Sequence, residues 1–246
     1  MGYIRAFFTL LAAVVWFVIS LPCALVVLIL NRISAKSADR FVYPFVRLGL
    51  RMVAGATGCR IAIRGRENLP EGAALYVSNH RSIFDVIFFL PLIHGTWSPV
   101  AKKELARIGI LRFWMNRVHT LFLDRTDLRA GVKMVTDAVN LLKDDTSVYI
   151  CPEGTRNHTE GTLLEFKGGS FKIAIRAGAP VVPVTMIGTG DVFEDHFPKV
   201  RARNVTIVID PPIETKDLSI AARRELHERV RALIQSHLDE AKEISA

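Results

Sequence analysis

From residue 6 to residue 30 the chain runs 25 residues without a charge, interrupted only by Thr9 and Ser20. As one helix this run would reach about 37 Å, more than the roughly 30 Å hydrocarbon core of a bilayer. It therefore predicts membrane contact, with room for a tilted span and a kink at Pro22. A second apolar stretch, 41–56, is broken by Arg47 and Arg51, whose four-residue spacing sets both on one helical face. An interfacial helix fits that pattern better than a second span, giving an anchor hairpin; packing of this helix on the soluble body is the alternative. Beyond it the pattern changes to short apolar runs at 61–63, 74–78, 121–123, 148–150, 181–185 and 205–209, alternating with helical patterns such as 128–142 and 171–177. Strands alternating with helices predict an α/β fold with a mixed, largely parallel sheet covered by helices. A last helix begins near Ser219, with Leu226, Val230, Leu233, Ile234 and Leu238 as its apolar stripe and Arg223, Arg224, Arg229 and Arg231 solvated. The organisation expected is a membrane-associated helical segment over 1–57 and an α/β domain over 58–246.

Composition narrows the class. With 246 residues, half of them hydrophobic, the chain can bury one sizeable α/β domain plus an appendage. Its 32 Lys and Arg against 24 Asp and Glu give a net charge of +8. That favours anionic partners such as acidic lipid surfaces or acidic carrier proteins. Nucleic acid is set aside because no recognisable binding motif is present. A cleaved secretory signal also fits poorly: the apolar run outlasts a normal signal core, no Ala-x-Ala-like site follows, and Pro22 precedes Cys23. Arg32, Lys36, Arg40, Arg47 and Arg51 follow the run, so the positive-inside rule places the α/β domain on the cytoplasmic face of the cell membrane. Cys23, Cys59 and Cys151 form no Cys-x-x-Cys, which argues against a disulfide framework or a zinc site. His94, His158, His196, His227 and His237 show no partner pattern and read as surface or structural residues.

The candidate chemistry begins at Asn79-His80-Arg81-Ser82-Ile83-Phe84-Asp85, just after the strand at 74–78. Five residues is an odd separation, so on one strand the His80 and Asp85 side chains would point to opposite faces. A turn is required for them to meet. Ser82 fits a helix N-cap and Asp85 the acidic partner of a capping box. Capping alone accounts for Ser82 and Asp85 but leaves His80 unexplained; a general base with its orienting acid accounts for both. His119 and Asp124 share the five-residue spacing but lie in what reads as one continuous strand, so that pair should not meet. Two further motifs, Leu123-Asp124-Arg125 and Cys151-Pro152-Glu153-Gly154-Thr155-Arg156, also follow strands, and ligands collect at the carboxyl ends of strands in open α/β sheets. Arg125 and Arg156 would bring two guanidinium forks suited to a phosphate, and Gly154 lets the backbone come close. The blander readings are surface ion pairs for the arginines and a plain turn at Pro-Glu-Gly-Thr.

In this order the motifs resemble the glycerolipid acyltransferase family typified by 1-acyl-glycerol-3-phosphate acyltransferase. The first block matches Asn-His-x-Ser-x-x-Asp at every fixed position, the third matches Pro-Glu-Gly-Thr-Arg, and Val181-Val182-Pro183-Val184 is similar to an apolar fourth block. Cys151 and His119 stand where the family more often has phenylalanine and glycine. The resemblance implies that His80 deprotonates the free hydroxyl of a lysophospholipid, which attacks a thioester carbonyl while Asp85 orients the imidazole. It also implies that Arg125 and the residues Glu153, Gly154, Thr155 and Arg156 bind the glycerol phosphate. The donor would be acyl-CoA or acyl carrier protein and the product phosphatidic acid, with no cofactor. Glycerol 3-phosphate or another lysophospholipid as acceptor is the nearer alternative. A membrane-anchored lipid hydrolase is disfavoured by the lack of a Gly-x-Ser-x-Gly elbow or metal cluster, and a catalytically silent lipid-binding protein by the His80 and Asp85 pair. Lys102, Lys103 and Lys167 lie in segments that also resemble the family, either near substrate or simply at helix starts.

Overall fold

The computed structural model describes residues 1–245. The uncharged run lies within α1 (Gly2–Ile33), continuous through Pro22. Among the described residues it is the one helix long and apolar enough to cross a membrane. A single extended residue, Ser34, separates it from α2 (Ala35–Thr57). The two helices fold back on each other. Arg5 Nη1 donates to the Thr57 carbonyl at 3.3 Å, filling an acceptor that the end of α2 leaves open. Midway along the pair the Trp16 indole covers Gly49, where a Cβ would come within 2.2 Å of Nε1. This close approach explains a glycine inside a helix, where it otherwise costs about 1 kcal/mol relative to alanine.

The sheet has seven strands: β1 (Arg60–Arg64), β2 (Leu75–Ser78), β3 (Thr96–Lys102), β4 (Leu121–Leu123), β5 (Thr146–Ile150), β6 (Val181–Ile187) and β7 (Asn204–Ile209). Their order is β1-β7-β6-β2-β5-β3-β4, and β6/β7 is the antiparallel pair in an otherwise parallel set. This is the mixed, largely parallel sheet the alternation predicts. Side chains alternate across it, as period two requires. Tyr76, Tyr149, Val182 and Val184 enter one core with α2, α3 (Ile83–Phe89) and α4 (Gly109–Arg117). Leu75, Val77, Val148, Ile150 and Val181 enter a second core with α5 (Leu128–Lys143), α6 (Lys172–Ala177) and α7 (Ile220–Ser245). Trp114 of α4 also donates to Ser20 Oγ at 2.9 Å, tying α1 to the first of these layers.

Four details differ from the sequence reading. β3 carries no expectation in the pattern because Pro99 interrupts it; its ladder runs to β5 over Thr96 to Pro99 and to β4 over Val100 to Lys102, so the proline sits where the partner changes. His119 is not in a strand but in a turn, with φ of 56°. It pairs with Asp39 at 3.4 Å while Asp124 pairs with Lys103, so the two do not meet, though the turn rather than a shared strand separates them. Arg47 and Arg51 do share a face of α2, but that face packs on the body: Arg47 Nη2 donates to the carbonyls of Ile93 at 2.8 Å and Gly95 at 3.3 Å. The helix buries Ala38, Val42, Tyr43 and Val46 there, so the body-packing alternative describes it. Arg231 of α7 is likewise bound rather than solvated, donating to the carbonyls of Leu163 and Leu164 at 3.3 and 3.2 Å.

Candidate active site

β2 hands the chain directly to the first motif. The Asn79 amide reaches across to β6, donating to the Met186 carbonyl at 2.9 Å and accepting from its N–H at 2.8 Å. The chain then turns, and Ser82 caps α3 by accepting from Phe84 N at 3.1 Å, with Asp85 completing a capping box. This turn brings the imidazole and the carboxylate together: His80 Nδ1 lies 2.9 Å from Asp85 Oδ2. Asp85 is fully buried, and the same oxygen accepts the main-chain N–H groups of Arg81 and Ser82, each at 2.8 Å. Capping and imidazole orientation are therefore carried by one oxygen at once. An ionised carboxylate only accepts, so it selects the tautomer with hydrogen on Nδ1 and leaves the Nε2 lone pair free. The His80 side chain keeps 18% of its surface exposed.

The third motif, following β5, braces the first. Glu153 is buried, and both its oxygens are taken by main-chain groups: Oε1 accepts from His80 N at 2.8 Å and Oε2 from Leu164 N at 2.9 Å. Burial pushes its carboxyl up, against the lowering effect of those two N–H groups. Glu153 thus does not present its carboxylate to the crevice as a substrate-binding residue would; it fixes the histidine backbone. Asn157 N completes the grip by donating to the His80 carbonyl at 2.8 Å. Gly154 has φ of 71°, and a Cβ there would come within 2.8 Å of Lys167 Nζ, so the Lys167 ammonium lies directly over the loop. Thr155 is exposed beside it. Arg156 is half-exposed and gives Nη1 to Glu194 Oε1 at 2.9 Å.

The second motif, after β4, presents Arg125. Its neighbour Asp124 is occupied by the Lys103 ammonium and the Thr126 hydroxyl and amide, which hold its carboxyl down to about 2. Arg125 is exposed and has no ion-pair partner among the described residues. The surface ion pair that could have explained it is absent among those residues. Cys151 itself lies against the Asn79 carbonyl, and burial pushes its thiol well up.

Sequence reasoning missed a set of supporting residues. Arg81, in the variable position of the first motif, is buried and binds Glu160, the Asn157 carbonyl at 2.5 Å and Asp195 at 2.9 Å. Glu194 accepts from Ser82 Oγ and from Ile83 N at 2.8 Å as well as from Arg156. Glu194 and Asp195 come from a stretch more than 100 residues away with no periodicity to mark it.

A histidine held on a buried aspartate at a strand end, with exposed arginines on the two other motif loops, has the chemistry of a general base in a basic setting. The chain belongs to the acyltransferase family, whose model matches residues 60–187. It is 32% identical over 190 residues to 1-acyl-sn-glycerol-3-phosphate acyltransferase alpha from Homo sapiens, covering 76% of this chain and 66% of that one. It is 26% identical over 204 residues to 1-acyl-sn-glycerol-3-phosphate acyltransferase from Borreliella burgdorferi, covering 82% and 81%. The chain spans about two thirds of the length of its mammalian relatives. Its fold matches the crystal structure of the 1-acyl-sn-glycerophosphate (LPA) acyltransferase PlsC from Thermotoga maritima, with a TM-score of 0.82 at 25% identity over 98% of this chain and 96% of that one.

Proposed function

We propose that this protein transfers an acyl chain from a thioester, carried by coenzyme A or acyl carrier protein, to the sn-2 hydroxyl of 1-acyl-glycerol 3-phosphate, giving phosphatidic acid for phospholipid biosynthesis. His80 Nε2 takes the hydroxyl proton as the oxygen attacks the thioester carbonyl. Collapse of the tetrahedral adduct breaks the carbon–sulfur bond, and the proton passes from His80 to the departing thiolate. A thioester is already activated, so no covalent enzyme intermediate is required. Asp85 orients the ring and offsets the positive charge that builds on it. Glu153 and Asn157 hold the His80 main chain, while Arg125 and Arg156 receive the acceptor phosphate beside the Gly154 and Thr155 backbone. Residues 1–57 associate with the membrane and 58–246 form the catalytic domain on its cytoplasmic face.

The observation that carries this reading is the 2.9 Å contact between His80 Nδ1 and a fully buried Asp85, which leaves the other ring nitrogen free. The test is incubation of the full chain with a labelled acyl thioester and 1-acyl-glycerol 3-phosphate. A diacylated product is expected; free fatty acid would indicate a hydrolase, and unchanged substrate a binding protein. In an acceptor competition, preference for glycerol 3-phosphate would reassign the acceptor.

A further inference from the structure

The segment after β6 carries a phenylalanine that the fold leaves in the open. Phe197 is 75% exposed. It is nevertheless held in place, edge-on to Phe193 at 5.4 Å, which in turn meets Phe84 of α3 at 6.2 Å. Two residues on, Lys199 places its ammonium 5.0 Å from the centre of the Tyr3 ring. Val200 N then donates to the Gly2 carbonyl at 3.2 Å. The segment is therefore fastened to the first turn of α1, whose Tyr3, Ile4, Phe7 and Phe8 are all exposed.

We propose that Phe197 enters the lipid surface in which α1 is seated, making its segment a second membrane contact at the edge of the active site. The inference rests on the membrane association of α1 proposed above. The partner is a bilayer because the exposed ring lies two residues from the lysine that stacks on Tyr3, at the start of the exposed apolar run of α1. Beside it stand a lysine and a tyrosine, residue types that bridge hydrocarbon and headgroups. The same segment carries Glu194 and Asp195, which hold Arg156, Ser82, Ile83 and Arg81. Seating Phe197 in lipid thus sets the phosphate-facing arginine at headgroup depth, where a bilayer-borne acceptor keeps its phosphate.

The test uses the full chain in vesicles of phosphatidylcholine and phosphatidylglycerol, with Phe197→Trp and Phe7→Trp each measured against the wild-type tryptophan emission. With lipids brominated along their chains, the added emission of both variants is expected to be quenched. Quenching of Phe7→Trp without Phe197→Trp would overturn this inference alone; no quenching of either would overturn the membrane reading and the inference together. In parallel, Phe197→Ser is expected to raise the apparent KM for a vesicle-embedded lysolipid about tenfold, the scale set by removing one buried aromatic ring from lipid. The KM for a short-chain, water-soluble acceptor should stay unchanged. An equal rise for the soluble acceptor, or a rise for the thioester donor, would assign Phe197 to a substrate or carrier-protein contact and overturn the lipid assignment.

Discussion

Replacing Asp85 with asparagine isolates the carboxylate's charge from its geometry. One oxygen, Oδ2, receives the His80 ring and the Arg81 and Ser82 main-chain N–H groups, whereas Oδ1 has no hydrogen-bond partner among the described residues. An amide that places its oxygen at Oδ2 can keep all three bonds, and its NH2 replaces an atom that bonded nothing. What is lost is the negative charge facing the ring as it becomes an imidazolium. For unit charges at the observed 2.9 Å separation, an effective dielectric constant of about 20 gives roughly 6 kcal/mol. That is a ceiling, because the amide dipole remains and the ring is only partly charged in the transition state. Half of it, about 3 kcal/mol, lowers turnover about 150-fold. Steady-state kcat at saturating donor and acceptor is the assay, with thermal unfolding as the check on folding. In the proposed mechanism Asp85 acts through His80, so adding Asp85→Asn to His80→Ala should cost nothing further beyond the loss of about 10²-fold or more expected for His80→Ala. A loss below about fivefold in folded Asp85→Asn protein, or a full additional loss in the double variant, would refute the reasoning.

Three other substitutions probe separate parts of the structure. Arg156→Lys keeps the charge but loses the planar fork and should raise the acceptor KM about 5- to 30-fold; an unchanged value in initial-rate assays would remove Arg156 from phosphate capture. Glu153→Gln turns one acceptor into a donor facing a main-chain N–H, and should cost about 1–3 kcal/mol of stability in denaturant unfolding despite removing a buried charge. It should also reduce kcat, because the His80 backbone loses its brace. Gly49→Ala, by propensity alone, should stabilise α2; the Trp16 indole instead makes it destabilising by about 1–3 kcal/mol, read as a lowered Tm.

The elements legible in the sequence are those whose cause is local. Ser82 and Asp85 mark the start of α3 because capping is short-range chemistry, and the strand alternation around Tyr76 and Tyr149 follows from burial on both sheet faces. β3 was hidden because its tolerance of Pro99 depends on a change of neighbour that only the assembled sheet supplies. The segment 41–56 showed an apolar stripe, but the stripe says only that something covers it. Bilayer and protein core leave the same pattern, and the carbonyls of Ile93 and Gly95 that engage Arg47 lie far along the chain. In the same way His80 and Asp85 could be paired from spacing and a turn, whereas Glu194 and Asp195 act through tertiary contacts that no periodicity records. Glu153 was visible as a motif residue, yet its direction, toward the His80 backbone rather than the crevice, follows only from the packing of the β2 and β5 loops.

The attachment of α1 has a mechanical consequence. Its first turn is bonded to Val200, Arg5 to the end of α2, its middle to Gly49 and Trp114, and its last turn to α2 through the single residue Ser34. Held at both ends and in the middle, the helix is coupled to the body that carries the sheet. On the proposed seating of α1 in a membrane, a thicker or thinner bilayer is accommodated by the surrounding lipids or by tilting the whole protein, and the orientation of the histidine relative to the lipid plane shifts with that tilt.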